Sequence, residues 1–125
     1  MSLKIRTAKR LHDALTSCNK LAVIAAADAP VPPFGNNTEM LAAERLLEII
    51  GEALKVATRT DPTHVAVTIE IRHAISLRNR IAHDYDGIDD QIIWDAVRVN
   101  IPDLKQQIEA LLKQAPAIQA GAATD

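Results

Sequence analysis

The sequence predicts an all-α fold, a four- to five-helix up-and-down bundle, and three observations carry that prediction. The 125 residues suit one domain, long enough to bury a core without disulfide staples. The apolar fraction of 48% is rich in alanine and leucine but holds only one Phe, one Tyr and one Trp. That composition favours helix and leaves too few aromatic and β-branched runs for a sandwich or barrel. Between clusters of Pro, Gly and Asn, apolar residues recur at three- and four-residue intervals, the period of a helix with one buried face. Residues 1–115 are expected to form a single domain, and 116–125, a run rich in Ala, Gln and Gly after Pro116, a flexible tail.

The first helix is expected from about Leu3 to Ala27, striped by Leu11, Leu15, Cys18, Leu21 and Ala25. A loop follows over Ala29 to Asn37, where prolines 30, 32 and 33 and Gly35 forbid regular structure. Thr38 caps the second helix, which runs to about Thr58 with Leu46, Ile50, Ala53 and Ala57 inward. Its Glu44, Glu48 and Glu52 form a solvated row at i, i+4 spacing. Asp61-Pro62 reads as a helix start, with the third helix from about Thr63 to Ala82. Val67, Ile71, Ala74, Ile75, Ile81 and Ala82 make its apolar face. After the Asp86-Gly87 turn a fourth helix spans about Ile88 to Asn100, with Trp94 as core. Pro102 opens a fifth, carrying Leu104, Ile108, Leu111 and Leu112.

Several functional classes are excluded. A net charge of −2 gives no whole-protein field for nucleic acid, so any such contact is local. Three scattered rings cannot build a base-stacking platform. The lone Cys18 sits on the apolar stripe as a small core residue and fits a reducing compartment. No signal-peptide pattern follows the basic N-terminus, and the stretch from Leu21 to Ala27 is too short to span a bilayer. The expectation is a soluble cytoplasmic protein with no membrane partner.

The informative segment is Ile71 to Asp90. From Ile71 to His83 it holds Arg72, Arg78, Arg80, His73 and His83 and no acid; then Asp84, Asp86, Asp89 and Asp90 follow. Helix dipoles explain part of this separation, since cations near a C-terminus and acids near the next N-terminus each gain about 0.3–1 kcal/mol. They do not explain Arg78. At about 100° per residue it falls inside the apolar stripe, so its guanidinium must be paired in the interior or open into a groove. His83 lies about 140° around an ideal helix from Arg78. The two can converge if the helix ends near Ala82, or across a symmetric dimer. Asn79, four residues before His83, is placed to orient its ring. His73 reads as a surface residue, and His12 and His64 carry no signal.

The run Arg78-Asn79-Arg80-Ile81-Ala82-His83-Asp84-Tyr85 has the form R-N-x3-H-x-Y, which resembles the signature of HepT-like proteins of the HEPN superfamily. Leu46-Leu47-Glu48-Ile49-Ile50-Gly51-Glu52-Ala53 is similar to the L-x-I-I-G-E-A helix of that family. Ile88-Asp89, Ile93-Trp94 and Ile101-Pro102-Asp103-Leu104 are similar to its I-D…W…L-P-x-L tail. The likeness covers roughly Met40 to Leu112. It departs at His64-Val65-Ala66-Val67, where the family often has Pro-Trp, and in the proline-rich loop.

The resemblance implies an HEPN-like bundle that forms a homodimer, with Arg78 and His83 of each subunit in the interfacial cleft. It implies a toxin of a type VII toxin–antitoxin system: a metal-independent endoribonuclease, acting on RNA and not DNA, with no cofactor. Its partner would be a minimal nucleotidyltransferase antitoxin that silences it by transferring AMP to Tyr85. Arg78 and His83 would be catalytic and Asn79 supporting. The residue types suit that chemistry. RNA carries its own nucleophile in the 2′-hydroxyl. An imidazole, whose ordinary pKa is about 6.5, moves protons near neutrality, and a guanidinium fork receives phosphate charge. An added phosphate-bearing group on Tyr85 would cancel that charge. Two other classes fit the same residues: a non-catalytic nucleotide-binding or adaptor subunit of a nucleotidyltransferase complex, and a structural bundle in which Arg78 is an interior ion pair.

Overall fold

Helix α1 (Ile5–Ala26) buries Thr7, Ala8, Leu11, Ala14, Cys18 and Leu21, a stripe at three- and four-residue steps. These features come from a computed structural model, which describes residues 3–26, 37–83 and 87–114. The proline-rich loop, the segment 84–86 with Tyr85, and the expected tail lie outside the described residues. Helix α2 (Asn37–Thr60) answers α1 with Met40, Ala43, Leu47, Ile50, Leu54 and Ala57, all buried. The two run antiparallel, because the start of α1 meets the end of α2. There Lys4 donates its backbone N–H to Asp61 Oδ2 at 3.1 Å and its Nζ to the Thr60 carbonyl at 3.3 Å.

The third helix begins later than the Asp61-Pro62 signal suggests. Helix α3 spans Ile69–His83. Residues after Pro62 form only one turn, in which the His64 and Val65 N–H groups both reach the Asp61 carbonyl, at 3.2 and 2.9 Å. The Asp61 side chain is taken by tertiary partners instead, with His64 Nδ1 2.8 Å from its Oδ1 and Lys4 N–H on its Oδ2. Burial alone would raise this carboxyl. The bonds from His64 and the Lys4 amide, with the Thr7 hydroxyl beside it, outweigh burial and hold it below the usual carboxylate range. Helix α3 is capped by Thr68, whose hydroxyl oxygen accepts the Ile71 N–H at 3.2 Å and whose O–H donates to Gln107 Oε1 at 2.8 Å. Val67, expected in the core, is 48% exposed because it precedes that cap.

Past Gly87 the chain forms α4 (Asp90–Asp95), capped by Asp89 Oδ1 accepting the Gln91 N–H at 2.8 Å. No loop separates it from the expected fifth helix. A π-helical stretch, Ala96–Asn100, runs straight into α5 (Ile101–Leu112). Pro102 explains it: proline has no N–H and its ring crowds the carbonyl four residues back. The Ile101 N–H reaches back five residues to the Ala96 carbonyl, and the widened turn lets the rod pass the proline.

Helix α2 packs between α1 and α3, and α5 returns along the other side of α1. The result is all-α among the described residues. Leu11, Leu21, Ile50, Leu54, Leu104 and Ile108 fill the centre, fully buried. Each contributes about 1.5–3 kcal/mol relative to an exposed side chain. Trp94 is buried as expected, with the Arg98 guanidinium 5.4 Å from its ring centroid. Cys18 lies in the core, where burial pushes its thiol up to about 12. Among the described residues no helix is long and apolar enough to cross a membrane.

Candidate functional site

The site is built where α2 and α3 come closest. A Cβ placed on Gly51 would sit 2.3 Å from Arg78 Cβ and 2.9 Å from the Ala74 carbonyl oxygen. Glycine is therefore required for α3 to lie this close, and the position it leaves open is filled by the stem of Arg78. The next residue on α2, Glu52, reaches the other end of the same side chain, with Oε2 3.3 Å from Arg78 Nη2. Arg78 Nη1 donates to Asn79 Oδ1 at 3.1 Å. Its side chain is 27% exposed and that of Glu52 52%. The stem is thus under α2 while the guanidinium is at the surface. An interior ion pair does not describe Arg78; a groove does.

That groove, about 190 Å³, takes Arg10 and Asp13 from α1, Arg45, Glu48 and Glu52 from α2, and Arg78 from α3. Arg10 and Arg45 had no signal in the sequence. They lie on helices whose register against α3 is set by tertiary packing, and nothing in their spacing relates them to Arg78. At the N-terminal end of α2, burial, then Asp90 and Glu48, hold the Glu44 carboxyl above its ordinary range. A larger groove of about 540 Å³ lies between α1 and α5, with Cys18 in its lining, and contains none of the sequence-predicted site residues.

His83 is the last residue of α3 and is exposed, as is His73. Helix α3 ends at His83, one residue past Ala82, so His83 lies in its last turn and not in a turn beyond it. On an ideal helix, five residues set Arg78 and His83 of one chain about 140° apart. Asn79 is engaged by Arg78. Tyr85 lies outside the described residues. Among the described residues no group of three His, Cys, Asp or Glu side chains is arranged to hold a metal ion. Within one chain, the structure presents a guanidinium held by Gly51, Glu52 and Asn79, and an exposed imidazole at the helix end.

Comparison with known proteins places the chain in a family. A family profile described as ribonuclease HepT-like matches residues 33–111, which include Gly51, Arg78 and His83. A Methanocaldococcus jannaschii protein with a provisional RNase name is 32% identical over 100 residues, 79% of this chain and 90% of that protein. A second from that organism, also provisionally named an RNase, is 30% identical over 80 residues, 64% of this chain and 65% of its own length. A Thermococcus cleftensis protein named as a probable ribonuclease HepT is 38% identical over 69 residues, 55% of this chain and 62% of its own. The chain thus spans a little less than two thirds of the last two relatives. No solved structure matches it.

Proposed function

This chain belongs to the ribonuclease HepT-like family, and we propose that it is a metal-independent endoribonuclease whose Arg78 and His83 act together in the cleft of a homodimer. The observation that carries this reading is Arg78: a half-buried side chain whose guanidinium, held by Glu52 and Asn79, is presented to a groove. An arginine so placed has donors left for a phosphate oxygen, since only part of its five-donor fork is engaged.

The chemistry follows from RNA itself. One imidazole takes the proton from the 2′-hydroxyl, which attacks the adjacent phosphorus; the 5′-oxygen leaves and accepts a proton. Arg78 stabilises the charge that builds on the phosphoryl oxygens. The dimer carries two such sites, each with one His83 as base, and water supplies the proton that the 5′-oxygen accepts. DNA lacks the nucleophile and is not cut. An ideal helix sets Arg78 and His83 about 140° apart, so on this reading each site takes its arginine from one subunit and its histidine from the other.

On this reading the protein is the toxin of a type VII toxin–antitoxin pair in the cytoplasm. A minimal nucleotidyltransferase transfers AMP from ATP to the Tyr85 hydroxyl, releasing pyrophosphate. Tyr85 follows two residues after His83, so the added phosphodiester brings bulk and negative charge beside the reacting groups. The test is cleavage of a labelled RNA in EDTA by the wild type, Arg78→Ala and His83→Ala. Cleavage lost in both variants, with folding retained, supports the reading. Undiminished cleavage in either overturns it. Mass spectrometry after incubation with the nucleotidyltransferase, ATP and magnesium tests the silencing step. An unmodified Tyr85 in the presence of active enzyme contradicts that step.

A further inference from the structure

Three guanidiniums from three helices line the groove beside the reacting arginine, and they are not equivalent. Arg78 is engaged by Glu52 and Asn79. Arg10 and Arg45 are exposed, and among the described residues neither has a carboxylate within ion-pair distance. Two uncommitted planar forks thus open onto one small concavity beside Arg78. The groove's 190 Å³ is about six times the ~30 Å³ share of one water in the liquid, so a phosphate group enters by displacing a few waters.

We propose that Arg10 and Arg45 form a phosphate-binding extension of the Arg78 site, taking the RNA backbone beyond the scissile linkage. The inference rests on the ribonuclease reading above and adds where the strand runs: from Arg78 across α2 toward α1. Asp13, Glu48 and Glu52 share the groove and cancel its distant field. They do not remove the donors of Arg10 and Arg45, which act at hydrogen-bond range. The strand is therefore held by short contacts and not by long-range attraction, as suits an acidic protein. Arg10 and Arg45 position substrate and do not touch the reacting atoms.

The experiment measures binding of a fluorescent single-stranded RNA to the full-length His83→Ala protein between about 50 and 200 mM salt. Each phosphate contact on a single strand contributes about 0.7 to the slope of log K against log salt. Arg10→Gln and Arg45→Gln, each in that background, lower the slope by about 0.7. Introduced into the otherwise wild-type protein, they raise KM and leave kcat unchanged. Lys20→Gln, an exposed cation of α1 outside the groove, leaves the slope as it was. Both arginine variants are surface changes, and equal melting temperatures verify that folding is intact. If both keep the parent slope and KM while RNA is still cleaved, the groove assignment is overturned and the ribonuclease reading stands. A Lys20→Gln effect as large as theirs also overturns it, since a diffuse field then holds the strand. If the wild type neither binds nor cleaves RNA, both fall.

Discussion

Replacing Gly51 by alanine sets two effects against each other at the α2–α3 contact. In an exposed helix interior the change stabilises by about 0.5–1 kcal/mol, because alanine loses less backbone entropy than glycine. Here the new methyl meets Arg78 Cβ at 2.3 Å and the Ala74 carbonyl oxygen at 2.9 Å, and both belong to or adjoin the backbone of α3. Ordinary contact begins near 3.4 Å, so the helices must separate by about an ångström. Overpacking of this kind costs about 1–3 kcal/mol. Packing outweighs propensity over most of that range, leaving a net loss of up to about 2.5 kcal/mol. The effect on cleavage is larger in proportion, because the displaced residue is Arg78: a 1 Å error in placing a reacting group costs about a hundredfold. Thermal unfolding and RNA cleavage of Gly51→Ala, measured together, test this. A variant as stable as the parent and equally active would show that α2 and α3 do not meet as described.

Other outcomes follow from the same structure. Asp61→Asn lowers stability at neutral pH by about 1–3 kcal/mol, since charge-assisted bonds from Lys4 and His64 are lost. The Asp61 carboxyl is held below its ordinary 3.8, so its contribution is present above that pH and disappears as pH falls through the depressed value. The gap between wild type and variant in melting temperature should therefore close below about pH 4; a constant gap down to pH 2 contradicts the assignment. Thr68→Ala removes the α3 cap and the link to Gln107, and denaturant titration should show a loss of about 1 kcal/mol. Cys18, with its thiol pushed up to about 12 by burial, should resist alkylation at pH 8 in the native protein and react once it is unfolded. Fast native alkylation would place Cys18 at the surface.

The bundle was legible because its signals are local. Leu11, Cys18 and Leu21 on α1, Ile50, Ala53 and Ala57 on α2, and Leu104 and Ile108 on α5 follow from spacing and are buried as read, while Leu46, Leu111 and Leu112 pack against the core only partly buried. What depends on distant partners was not legible. Asp61-Pro62 carries the marks of a helix start, yet the Asp61 carboxylate is occupied by Lys4 and His64, and Thr68 caps the helix seven residues later. Pro102 has the same local signature at a true helix start and in a rod that widens to a π turn. Arg78 stood out as a charge in an apolar stripe, which pointed to the groove. The residues that hold or flank it could not be joined to it by spacing, because Gly51, Arg10 and Arg45 lie on other helices. Gly51 and Glu52 did appear in the family-like run of α2, but their physical task becomes visible only when α3 is laid against them.

The central claim is that one subunit supplies Arg78 and the other His83, and subunit mixing tests it most directly. On that claim, Arg78→Ala and His83→Ala proteins should each be inactive alone. Coexpressed and purified as the mixed dimer, they retain one site with both residues intact, and cleavage in EDTA should return to about half the wild-type rate per dimer if sites act independently. A mixed dimer as inactive as its parents would contradict the shared site.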